Sequence, residues 1–137
     1  MKKDLPDNIV EDISIAIVLE SETPSEKVWN VYLVNEKSHD INNVLVSSKG
    51  YGVKDGREVK TTTLRHFIGD VSAQSAIKIE AIDTQVFGLT NEYWLSYYID
   101  KTIYDKKYIF LPESIVDENL MKVPLVNKAG ILIGGTR

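Results

Sequence analysis

The chain has 137 residues, 43% of them hydrophobic and 26% charged, with a formal net charge of −4 and no cysteine. That length is one domain's worth and buries about two thirds of the unfolded surface, enough for a self-standing core. Without cysteine there are no disulfides, thiolate metal sites or cysteine nucleophiles, and an acidic balance repels phosphate backbones unless a local basic patch intervenes.

The start, Met1-Lys2-Lys3, is basic, but Asp4, Pro6, Asp7 and Asn8 follow where a secretory signal needs an apolar run. A cytoplasmic location is expected. The first apolar stretch is too short to span a bilayer, so no membrane is expected among the partners. In it Ile13, Ile15, Ile17 and Leu19 alternate with Ser14, Ala16, Val18 and Glu20. That alternation predicts a first strand over 13–20. Residues 21–27 are polar and contain Pro24, which reads as a loop. A second strand over 28–35 carries Trp29, Val31 and Leu33 on one face. A charged turn region, 36–43, leads to a third strand over 44–48, ended by Gly50-Tyr51-Gly52.

Asp55-Gly56 then marks a hairpin turn, because this pair readily adopts positive φ. A long fourth strand, 58–68, runs to Gly69-Asp70. The fifth covers 76–82, the sixth 92–99 and, after a tight turn at Asp100-Lys101, the seventh 102–111, closed by Pro112. Beyond it, Ser114 followed by acidic residues suggests an N-capped short helix stopped before Pro124. Residues 131–133 read as a short apolar strand. The expected architecture is all-β: an immunoglobulin- or fibronectin-like antiparallel β-sandwich of about seven strands over 1–112. A C-terminal extension, 113–137, packs on the same domain. Tyr93, at the start of the sixth strand, stands where such sandwiches place a corner tyrosine that turns its hydroxyl onto upstream backbone.

Trp29 to Asn35, Gly50-Tyr51-Gly52, Thr63-Leu64-Arg65-His66, Asn91-Glu92-Tyr93-Trp94 and Tyr104 to Pro112 together give the chain a likeness to a known group of sequences. It resembles a family of short bacterial proteins whose members often carry the label phenylalanyl-tRNA synthetase alpha subunit, and the resemblance spans nearly the whole chain. A class II synthetase domain needs a first arginine motif for ATP and a second glycine-and-arginine motif downstream. Leu64-Arg65-His66 is a local echo of the first. Gly134-Gly135-Thr136-Arg137 sits at the chain end, and the chain is far too short for that catalytic fold. The resemblance therefore implies no established activity and carries over no functional residue.

Chemistry-bearing patterns are sparse. His39 and His66 are the only histidines, and neither has a defined partner in the sequence, although Glu80 or Asp70 are candidates to approach His66. No metal site and no cofactor are expected. Ser47, Ser48, Ser72, Ser75 and Ser96 lack the Gly-x-Ser-x-Gly setting of a nucleophile elbow, and Gly50-Tyr51-Gly52 opens a hairpin, not a phosphate loop. A catalytic reading would require one pocket uniting His66, Arg65 and a carboxylate. The aromatics stand out instead. Alternation sends Tyr93, Leu95 and Tyr97 one way and Trp94, Ser96 and Tyr98 the other. One set fills the core. The other either lies under the tail, 120–133, or stays open beside Tyr51 as a platform for a protein, a peptide or a sugar. The candidate contact residues are Trp94, Tyr98, Tyr51 and Arg65, the last because guanidinium pairs bidentately with carboxylates. The expected function is non-catalytic: a protein-interaction or structural module, with a protein partner or a homo-oligomer, contacting through strand edges, tail or aromatic anchors. The alternative is a tRNA- or RNA-binding accessory protein using Lys101, Lys106, Lys107 and Lys122 around the aromatic hairpin.

Overall fold

The computed structural model describes residues 8–134; the basic start read for a signal segment and the end of the glycine-and-arginine run, 135–137, lie outside the described residues. The described chain is all-β, and every strand pairing in it is antiparallel. Its strands are β1 (Ile13–Thr23), β2 (Glu26–Asn35), β3 (Ile41–Lys54), β4 (Arg57–Lys60), β5 (Leu64–Val71), β6 (Ser75–Ile82), β7 (Thr90–Ile99), β8 (Thr102–Phe110), β9 (Met121–Lys122) and β10 (Ala129–Ile133). One sheet runs β6-β2-β1-β10-β9. The other runs β4-β3-β7-β8, with β5 beside β4 on the same edge of β3. No helix among the described residues is long and apolar enough to cross a membrane.

Up to Pro112 the expected count of about seven becomes eight strands among the described residues. The predicted fourth strand breaks at Thr61, Thr62 and Thr63 into β4 and β5. The Thr61 hydroxyl and amide are both turned onto Gly50, at 2.8 Å each, so the chain leaves one ladder before entering the next. The tail holds the short apolar strand read at 131–133, as β10, and adds β9. The predicted loop over 21–27 is also corrected: Thr23 pairs with Glu26, and Pro24-Ser25 form the tip of a long hairpin where no ladder bond is asked of Pro24. The predicted helix after Pro112 is only a single 3₁₀ turn, Asp117–Asn119. Ser114 donates its hydroxyl to the Leu111 carbonyl at 2.7 Å, so it is not the cap. Ile115 is drawn into the core and β-branched Val116 is extended, which leaves too few residues for an α-helical nucleus. Asp55 and Gly56 do take positive φ, 54° and 76°, as the hairpin turn requires.

The core lies between the sheets. Ile13, Ile15, Ile17, Val31 and Leu33 of one sheet meet Val44, Val46, Leu95, Tyr97, Tyr108 and Phe110 of the other. The Tyr108 hydroxyl crosses the gap to donate to the Ile13 carbonyl at 2.7 Å. Burial pushes that phenol up, out of the usual tyrosine range. β1 is buried on both faces, which is why it reads as a nearly unbroken apolar run. Its second face, Ala16 and Val18 with Val34, is covered by Val123 and Val126 from the loop between β9 and β10. Glu20 holds that cover in place. It accepts from the Asn30 amide at 2.8 Å, the Tyr32 hydroxyl at 2.6 Å and the Lys128 ammonium.

Candidate functional site

Directly opposed residues on neighbouring strands share a face. On the outer side of the second sheet one such row reads Arg65, Ser47, Trp94, Lys107 across β5, β3, β7 and β8. The next reads Phe67, Leu45, Ser96, Asp105. Tyr98 and Ile103 oppose each other farther along, and Tyr51 opposes Thr90 at the other end. Trp94, Tyr98, Tyr51 and Arg65 are thus brought to a single face. Phe67 is 71% exposed and Trp94 43%, with Leu45, Tyr98 and Ile103 also open. Lys107 lies over the Trp94 ring, 5.3 Å from its centre. Tyr51 donates to Glu92 at 3.0 Å, while Lys49 flanks the same carboxylate at 3.8 Å. The hydrogen bond to Glu92 raises the Tyr51 phenol above its usual range.

The tail does not cover this face. β10 pairs with β1, and the β9–β10 loop covers the far side of the other sheet. Trp94 is open because the extension was drawn to the unpaired edge of β1, where backbone donors and acceptors awaited partners. Phe67, Leu45 and Ile103 were not singled out in the sequence. For Phe67 a signal existed: it stands two residues from Arg65 in the same strand.

A second feature sits where β5 and β6, edge strands of opposite sheets, pass each other. The Glu80 carboxylate of β6 receives three groups from the facing sheet. His66 Nε2 lies 2.6 Å from Oε1, Ser48 Oγ donates to Oε1 at 3.0 Å, and the Tyr93 hydroxyl donates to Oε2 at 2.9 Å. Burial, then the nearby Glu80 charge, pushes the Tyr93 phenol up. The expected corner is corrected here: Tyr93 bonds a side-chain carboxylate and not upstream backbone, because Glu80 reaches its hydroxyl first. Glu80, Ser48 and Tyr93 border an open cleft of about 250 Å³ with Gly50, Thr62 and Asn91 on its wall. Strict alternation from Ile77 would turn Glu80 outward. A bulge at Ile79 reverses the phase, so that Glu80 opposes core residue Val31. Sequence spacing alone hides that reversal.

Chemically the cleft holds a carboxylate already satisfied by three neighbours. No hydrogen bond joins Ser48 to the imidazole, so the pair lacks the nucleophile–base contact of acyl transfer. Arg65 is on the opposite side of β5 from His66, so the pocket that a catalytic reading required is not assembled. Asp70 accepts instead from the Asn43 amide at 3.2 Å. His39 is exposed in a bend. Among the described residues no three histidine, aspartate or glutamate side chains converge as a metal ligand set.

The strand edges offer little room for an added strand. β9 has two residues. Lys106 on β8 opposes core residue Leu95, so a charge points inward along that edge, with its ammonium over Tyr108 at 5.4 Å. β5 and β6 guard each other through His66 and Glu80. No protein family, curated protein or solved structure matches the chain.

Proposed function

We propose that the protein is a non-catalytic protein-interaction module that engages its partner through the open face of the second sheet. One observation carries this reading: four adjacent strands hold Phe67, Trp94, Leu45, Tyr98 and Ile103 exposed together, on a rigid ladder, with Arg65 and Lys107 at the sides. Aromatic anchors beside an arginine are the composition of protein-binding hot spots. We read the scaffold as immunoglobulin-like. β1-β2-β6 against β3-β7-β8, with β4 and β5 beside β3, follows the strand order A-B-E against C-F-G with two further strands beside C. β9 and β10 are then an addition on the free edge of β1.

A photo-crosslinking amino acid at position 94 tests the function. Irradiation of cells expressing that variant yields protein adducts, whereas the same group at Ser21, on the hairpin of the other sheet, yields none. Equal silence at both positions overturns the reading. A second reading, RNA binding, draws on the row Arg65, Ser47, Trp94, Lys107, in which cations stand on both sides of a stacking ring. Glu92 and Asp105 on the same face oppose it. A mobility-shift titration with tRNA at several salt concentrations decides: salt-sensitive binding supports this second reading, and its absence removes it.

A further inference from the structure

We propose that the partner of this face is a second copy of the chain, docked face to face about a two-fold axis that runs between the Trp94 row and the Phe67 row. The inference rests on the reading of the face as an interaction surface. Its basis is that each strand carries a complementary pair one row apart. β5 has Arg65 and Phe67, β3 has Ser47 and Leu45, β7 has Trp94 and Ser96, and β8 has Lys107 and Asp105. Register is unbroken through all eight residues; the irregularities of β3 lie before Leu45.

A two-fold axis along the rows exchanges the two rows and keeps each strand opposite its own copy. Lys107 then meets Asp105 of the second copy, and Asp105 meets its Lys107, giving two ion pairs. Trp94 stands over Ser96 of the second copy and Leu45 over its Ser47, so large side chains enter the hollows left by small ones, as stacked sheets about 10 Å apart require. Arg65 lies against the Phe67 ring of the second copy, a cation–π contact made twice. An isologous contact needs this self-complementarity. A shift by one row, or an axis along the strands, loses it. A crossing of about 30° between aligned sheets moves the outer columns sideways by about 4 Å. The outer columns hold the long, adaptable Arg65 and Lys107, while the central columns hold the shape-matched Trp94, Leu45 and serines.

Charge exchange gives a test independent of folding defects, since Asp105 and Lys107 are exposed on the surface. By light scattering and sedimentation, the wild-type chain dimerises. Asp105→Lys places only lysines at the four facing positions and Lys107→Asp only aspartates, so each variant self-associates on the order of ten- to a hundred-fold more weakly. Mixing the two variants restores association as a one-to-one heterodimer, because each lysine again meets an aspartate. A wild-type chain monomeric to its solubility limit, single variants as dimeric as wild type, or a mixture that fails to recover would each overturn the second copy as partner. Crosslinking at position 94 separates the two levels. Adducts solely with other proteins from a monomeric chain sink the dimer and leave the interaction face standing, whereas no adducts at all sink both.

Discussion

Glu80 shows how much one side chain decides. It is the point where β3, β5 and β7 of one sheet are tied to β6 of the other by side chains alone. Glu80→Ala leaves the buried Tyr93 hydroxyl and the Ser48 hydroxyl without their acceptor, and such orphans cost about 1–3 kcal/mol each. The expected loss in urea denaturation is about 3 kcal/mol, against about 1 kcal/mol for Tyr93→Phe, which removes only one of the bonds. A Glu80→Ala chain as stable as wild type would show that the contact holds nothing. Tyr97 is the counterexample. Its hydroxyl is buried, with no hydrogen-bond partner among the described residues, and its ring stacks on Tyr104 at 5.2 Å. Tyr97→Phe therefore keeps the stack and sheds an unpaired polar group, so its melting temperature stays level or rises. At this scale the sequence was partly legible. Alternation placed Trp94 and Tyr98 together correctly, and Glu80, named as a candidate to approach His66, does reach it, but the bulge that turns Glu80 inward leaves no mark in composition.

At the scale of elements, the tail is held by close fit and by charge. A Cβ on Gly130 would lie 2.6 Å from the Ile17 carbonyl oxygen and 2.9 Å from Val123. Backbone cannot yield as a side chain tip can, so Gly130→Ala pushes β10 off β1 and costs about 1–3 kcal/mol by denaturant melting. The charge contribution is visible in pH dependence. Lys128, then Tyr32 and Asn30, hold the Glu20 carboxyl down at about 2, from an ordinary 4.5. The unfolded chain takes up that proton near pH 4.5 and the folded chain only near pH 2. Stability from Glu20 is therefore complete above pH 4.5 and drains away between 4.5 and 2. Glu20→Gln is less stable at neutral pH and shows a flatter acid limb; parallel curves for the two proteins would refute the network. Tyr32 mirrors this on the alkaline side. Its hydrogen bond to Glu20 pushes the phenol up to about 12, so its contribution is lost as pH rises from 10 towards 12.

At the scale of the whole molecule, the extension is a working part of the sandwich. A chain ending at Pro112, the limit of the seven strands read from sequence, strips the ladder from one edge of β1 and uncovers Ala16, Val18 and Val34. An unpaired apolar strand in that position aggregates. Circular dichroism and solubility of the truncated chain are expected to show loss of the fold, and a stable, soluble product would contradict the paired register of β1 and β10. The same placement leaves the opposite sheet bare and so exposes the face on which the proposed function depends.

By itself the sequence determined the all-β class, the hairpin turns at Asp55-Gly56 and Asp100-Lys101, and the two-residue period that groups Trp94 with Tyr98. These follow from local sterics and from which side chains avoid water, both of which are written along a few consecutive residues. Only the tertiary structure decided which sheet the tail covers, which way Glu80 turns and that Arg65 joins the Trp94 row with Phe67 in the row beside it. Those depend on bulges and on pairings between residues as much as 118 positions apart, Ile15 with Ile133, where the free energy lies in the match between distant segments and not in either one alone.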